Sequence, residues 1–263
     1  MTVEAPTKRV VPRSGRVLQA MLALQIGLAG LIAFGDFQRL APGLWSGADR
    51  APPAEVPVRP GDQTRRFTPR DLPQEQPAGP EFPRSDAVPA RLGFTATKIG
   101  EVENAVLLEG SIAPGDAVRF ADYLASRAEA PALIALHSPG GSVGDALAIG
   151  RTIREAGWDT IMQPGAACFS ACPYILAAGV ERQVSRSALV GVHQHYFGEN
   201  TLLPAFVAVE SIQRGQGEVL DYLSAMGIDL RMMAKAMITP PDNIYILVEA
   251  ELTDFAMATE VTD

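Results

Sequence analysis

Lysine is nearly missing from this chain. Of 22 basic residues in 263, only Lys8, Lys98 and Lys235 are lysines, so few amines are available as catalytic bases. Cysteine occurs twice, too seldom for a disulfide-built miniprotein or a four-cysteine zinc site. Positive charge is short as well. A formal net charge of −8 excludes the basic face of a nucleic-acid binder, and no nucleic-acid partner is expected. A phosphate-binding loop is also missing, so no ATPase-driven unfolding and no ATPase partner are expected. No cofactor is expected. Apolar residues are not scarce. At 47% of the chain they support a sizeable core and exclude wholesale disorder.

The first feature present is an apolar run. Lys8, Arg9, Arg13 and Arg16 precede it, with no acid among residues 8–16, and residues 17–35 then carry no charge. Those nineteen residues would rise about 28 Å as a helix, close to the hydrocarbon thickness of a bilayer. A cleaved signal peptide has a shorter apolar region and an A-x-A-like exit, whereas this run leaves through Ala33-Phe34-Gly35-Asp36. The run lacks a polar face, which argues against a core helix. The expectation is an uncleaved transmembrane anchor, with a cleaved signal as the other export reading. The basic residues 1–16 then stay in the cytoplasm by the positive-inside rule. This predicts an inner-membrane protein with its C-terminal domain in the periplasm, or a secreted or periplasmic one if the segment is cleaved.

Between Pro42 and Pro89 fall eleven of the 21 prolines, with no helical or strand period. Residues 36–91 therefore read as a largely disordered, partly polyproline-II linker, with packing of part of it on the domain as the alternative. From residue 92 to 263 the texture is that of one α/β domain. Short apolar runs at 105–108, 132–136 and 159–162 suit buried parallel strands. Helical spacing occupies 114–130, 142–156 and 171–178 between and after them. Strands alternating with helices indicate βαβ units.

Three local features carry chemistry. Ser138-Pro139-Gly140-Gly141 lies between a strand and a helix, where backbone N–H groups can turn toward an anion. Ser170, in Cys168-Phe169-Ser170-Ala171-Cys172, stands at another strand-to-helix turn, a place either for an exposed nucleophile or for a helix N-cap. His193 and His195, in Gly191-Val192-His193-Gln194-His195, end a short strand and offer the usual base for a serine. His137 precedes the first turn and reads as a loop-orienting hydrogen-bond donor.

Together these features resemble the proteolytic subunit of the Clp protease and the wider Clp/crotonase superfamily, over roughly residues 105–260. Ser170 follows Gly141 by 29 residues, that family's spacing for its nucleophile. Ile175-Leu176-Ala177-Ala178-Gly179 is similar to its LLAAG helix ending, and Val192-His193-Gln194 to its IHQ motif. Asp242 precedes Glu249-Ala250 by seven residues, as the family's triad aspartate precedes its glutamate-alanine pair. Departures are Ala166 in place of a glycine, and Ala171-Cys172-Pro173 where methionine-glycine is usual.

The resemblance implies a spiral of βαβ units with a parallel sheet. It implies a triad of Ser170 (nucleophile), His193 (base, then acid) and Asp242 (orienting the imidazole), with an oxyanion hole from the Gly141 and Ala171 N–H groups. It also implies a handle helix within 201–226 and a homo-oligomer, although Gly215 and Gly217 would interrupt one continuous helix; an intramolecular core role for the segment's apolar residues is the alternative. Membrane-associated signal-peptide peptidases of this superfamily use a Ser–Lys pair. The domain here offers only Lys98 and Lys235, so Ser–His–Asp is favoured.

The expected activity is an ATP-independent serine endopeptidase acting on flexible peptides or exposed protein segments. In an oxidising compartment Cys168 and Cys172 could bridge across the nucleophile turn. Three rival readings remain: a catalytically inactive Clp-like binding or assembly module, a Cys168/Cys172/His193/His195 zinc site, and acyl-CoA chemistry.

Overall fold

A computed structural model describes residues 13–45, 61, 63–68, 89–195 and 205–263. The chain divides into two compact units, Met1–Arg50 and Ala51–Asp263.

The first unit is the helix α1 (Arg13–Trp45). Its stretch Gly15–Phe34 is long and apolar enough to cross a membrane, and large apolar side chains from Val17 to Phe34 are exposed. The helix runs past Gly35, where the linker was expected to begin.

The second unit is a mixed α/β domain. Its strands are β1 (Thr64–Arg66), β2 (Gly93–Ile99), β3 (Val102–Glu109), β4 (Leu133–His137), β5 (Asp159–Met162), β6 (Ala167–Phe169), β7 (Arg182–Ser185), β8 (Leu189–Val192), β9 (Asn243–Ile246) and β10 (Glu260–Thr262). Its helices are α2 (Asp116–Ala125), α3 (Val143–Ala156), α4 (Cys172–Leu176), α5 (Ala205–Ala225), α6 (Arg231–Ile238) and α7 (Glu249–Asp254). Among the described residues one sheet has the order β10-β7-β5-β4-β3-β2, parallel except where β2 meets β3. The other has the order β1-β9-β8-β6, with β6 and β8 parallel and the remaining pairs antiparallel.

The alternation along β3 and β4 shows why the first sheet is buried on both faces. Val106, Leu108, Ile134 and Leu136 join the large core under the helices, whereas Ala105, Leu107, Leu133 and Ala135 pack with Ile99 and Ile161 on the opposite side. Helix α3 starts at Ser142, whose hydroxyl accepts from the Asp145 N–H. The Asp145 carboxylate in turn accepts from the Gly115 and Ala117 N–H groups at 3.0 Å each, tying the starts of α2 and α3 together.

Two expectations need correction. Helix α5 passes unbroken through Gly215 and Gly217. Each glycine costs about 1 kcal/mol of propensity, which burial of Val219, Tyr222, Leu223 and Met226 further along offsets. Tyr222 fits because Gly150 lacks a side chain: a Cβ there would stand 1.9 Å from the tyrosine hydroxyl, which donates to the Tyr174 carbonyl at 2.7 Å. The second correction concerns the linker. Residues 64–66 pair antiparallel with β9, and Phe67 beyond them is only 7% exposed. Local proline content hid this because the pairing partner lies far along the chain.

Candidate active site

The two sheets meet where β4 ends. Ser138 donates its N–H to the Ala167 carbonyl at 2.8 Å and accepts from the Phe169 N–H at 3.0 Å. This pairing brings the Ser138–Gly141 turn against the end of β6. The Ser138 hydroxyl closes the turn, donating to the Gly110 carbonyl and accepting from the Gly140 N–H. His137 accepts the Ala167 N–H at Nδ1, 3.1 Å away.

Gly140 and Gly141 have φ of +91° and +140°, conformations that side-chain-bearing residues rarely adopt. A Cβ on Gly140 would meet Ser170 Cβ at 2.6 Å and the Ala171 nitrogen at 2.7 Å, so the two turns touch backbone to backbone. Gly141 is gripped by Ile112 through the Ile112-to-Gly140 and Ser142-to-Ile112 hydrogen bonds, 2.8 Å each. Neither the Gly141 nor the Ala171 N–H donates to a loop or turn carbonyl among the described residues.

Ser170 sits between β6 and α4 with φ +61°, a left-handed conformation costing on the order of 1–3 kcal/mol for a non-glycine residue. Three restraints hold it there. Its N–H donates to the Gly191 carbonyl at 3.0 Å, a Cys168–Cys172 disulfide spans the turn (Cα–Cα 5.1 Å), and Pro173 occupies the first turn of α4. Such a turn lifts the hydroxyl away from the sheet.

His193 lies one residue beyond β8, is 7% exposed, and places Nε2 2.8 Å from Ser170 Oγ. Burial pushes its pKa below the ordinary histidine value, and the nearby charge of a protonated His195 acts in the same direction. The Pro241 carbonyl opposes this, favouring the charged ring without completing a well-formed hydrogen bond: Nδ1 has no partner among the described residues. Asp242 lines the same cavity, but its carboxylate is not hydrogen-bonded to the imidazole. The arrangement is thus a Ser–His pair with an aspartate close by and not engaged.

The cavity measures about 550 Å³ and is bordered by Ser170, His193, Asp242, His195, Gly141 and Phe67, among others. His195, the second candidate base, turns Nε2 to the Tyr174 hydroxyl at 2.7 Å, away from the serine. Burial raises the Tyr174 pKa, so this phenol stays protonated, and burial lowers that of His195. Lys98 pairs with Glu103, and Lys235 with Tyr245 and Glu251; neither borders the cavity. The disulfide occupies both sulfurs that a zinc site would need, and no cluster of metal-ligating side chains stands among the described residues.

Sequence reasoning missed Phe67, whose ring stands edge-on to His193 (centroids 5.3 Å, 69°) and to Phe169 (5.7 Å, 85°). The available signal was the short run Thr64-Arg65-Arg66-Phe67-Thr68, free of proline inside the proline-rich stretch. In comparisons with known proteins, no family model and no curated protein matches this chain.

Proposed function

We propose that this chain is a membrane-tethered, extracytoplasmic serine peptidase of Clp-like type, independent of ATP. The observation that carries the reading is the 2.8 Å Ser170 Oγ–His193 Nε2 hydrogen bond at a left-handed strand-to-helix turn. In this reading neutral His193 takes the Ser170 proton as Oγ bonds to the substrate carbonyl carbon. The carbonyl oxygen gains the negative charge and meets the Gly141 and Ala171 N–H groups. The C–N bond then breaks as His193 protonates the leaving nitrogen. Water, deprotonated by the same imidazole, releases the acyl group and restores Ser170. Removing one oxyanion donor from such a site typically costs about 10²–10³ in rate. The substrates are flexible peptides or exposed protein segments, and the working form is a homo-oligomer of domains built as Clp-like βαβ spirals.

A fluorophosphonate probe on the full-length protein in detergent tests this. Labelling should be lost in Ser170→Ala and fall steeply in His193→Ala. Wild-type protein that resists the probe, both oxidised and reduced, would sink the proposal. One observation favours a second reading, an inactive binding or assembly module: the carboxylate of Asp242 does not engage Nδ1. That reading predicts no labelling in any variant.

A further inference from the structure

Phe67 belongs to none of the motifs, yet it is built into the site from two directions. Its side chain completes a small apolar cluster with Ala167, Phe169, Leu189, Ile244 and Ile246, around the bases of β6, β8 and β9. Its backbone N–H donates to the Asp242 carbonyl at 2.9 Å, and the Gln63 carbonyl accepts from the Ile246 N–H at 2.8 Å. The strand is therefore fastened at both ends, and the far fastening fixes the Pro241–Asp242 turn that faces the imidazole. Among the described residues Nδ1 of His193 has no well-formed hydrogen bond, and only the nearby Pro241 carbonyl acts on the ring from that side. Packing can supply what the carboxylate supplies in a complete triad and that carbonyl alone does not, and the ring packed edge-on to the imidazole is Phe67.

We infer that Phe67 is a positioning residue for His193: a strand within the proline-rich segment forms one wall of the cavity and holds the imidazole toward Ser170 by packing. The inference deepens the peptidase reading and rests on it for its catalytic meaning. The geometric claim is readable on its own. The groups facing the imidazole are Ser170, His195 from the same chain segment, and Asp242 with the Pro241 carbonyl from the turn before β9. Phe67 adds no charge; it excludes water and fixes the ring.

The experiment uses full-length protein in detergent with ¹³C-labelled histidine. Only three histidines occur, so replacing His137 and His195 singly assigns the His193 signal. In Phe67→Ala the His193 titration midpoint should move up toward the ordinary histidine value as water enters. The fluorophosphonate labelling rate at neutral pH should fall about tenfold, short of the ~10² that a 1 Å misplacement costs. Phe67→Leu, which keeps most of the apolar bulk, should restore most of the rate. An unchanged His193 midpoint in folded Phe67→Ala overturns the inference. Should the alanine variant not fold, an unchanged midpoint and an unchanged labelling rate in Phe67→Val, which removes the ring and most of its reach, overturn it instead. Wild-type protein that titrates as expected but never labels removes the peptidase reading and leaves the packing role standing.

Discussion

His193 and His195 lie in one cavity with pKa values lowered first by burial, and that sets the pH behaviour of the site. A general base must be neutral, so labelling of Ser170 should rise with pH and reach its plateau below the ordinary histidine value of about 6.5. The sign for stability follows from proton counts. Between the lowered folded values and about 6.5, the unfolded chain binds more protons than the folded one. This contribution to stability is complete above that window and is lost as pH falls through it. Denaturant midpoints measured from pH 7.5 to 5 should therefore decline, and His195→Gln should flatten part of the decline. A midpoint that stays level over that range would show that neither imidazole is shielded. Much at this scale was legible in the sequence. Ser170 and His193 stand in recognisable local patterns, and the fold brings them into contact. The direction of the Asp242 carboxylate was not legible, because spacing along a chain places a backbone and leaves a side-chain torsion undetermined.

The element that carries the proposed nucleophile is β6, its turn and α4, a strand-turn-helix unit of ten residues from Ala167 to Leu176. Its strained residue lies within a five-residue ring closed by the disulfide. A loop that short restricts the unfolded chain by only about 2 kcal/mol. Its larger effect is local, opposing relaxation of the Ser170 backbone. Replacing both cysteines by serine should lower thermal stability modestly and reduce probe labelling far more than the stability loss explains. Labelling and melting measured on the same samples check this, and equal labelling of the cysteine-free protein would assign the disulfide a stability role alone. Element types were readable wherever period and partner lay close together, as in β4, α3 and β5. They were unreadable where pairing was remote: β1 finds β9 across most of the domain, and a three-residue strand carries no period. Helix α5 was misjudged for a related reason. Local propensity penalises Gly215 and Gly217, while the compensating contact of Tyr222 with Gly150 is tertiary.

For the whole molecule, the division into an apolar helical unit and an α/β unit matters most for localisation. An anchor and a signal peptide differ in whether Gly15–Phe34 survives in the mature protein. An anchored chain should stay in the membrane pellet at full length after an alkaline wash. A chain recovered in the wash and beginning after residue 35 would show cleavage instead. The join between the sheets has a mechanical consequence. Ser138 is clamped directly to Ala167 and Phe169, so two bonds join the loop bearing Gly141 to the turn bearing Ser170, beside the Ile112 bonds on the loop and the Gly191 bond and disulfide on the turn. When the sheets flex against one another, loop and turn should be carried along together, with little change in the distance from Ser170 Oγ to the Gly141 N–H. Tolerance to breathing is thus favoured at the seam: the domain can distort around Ser170 and Gly141 without separating them.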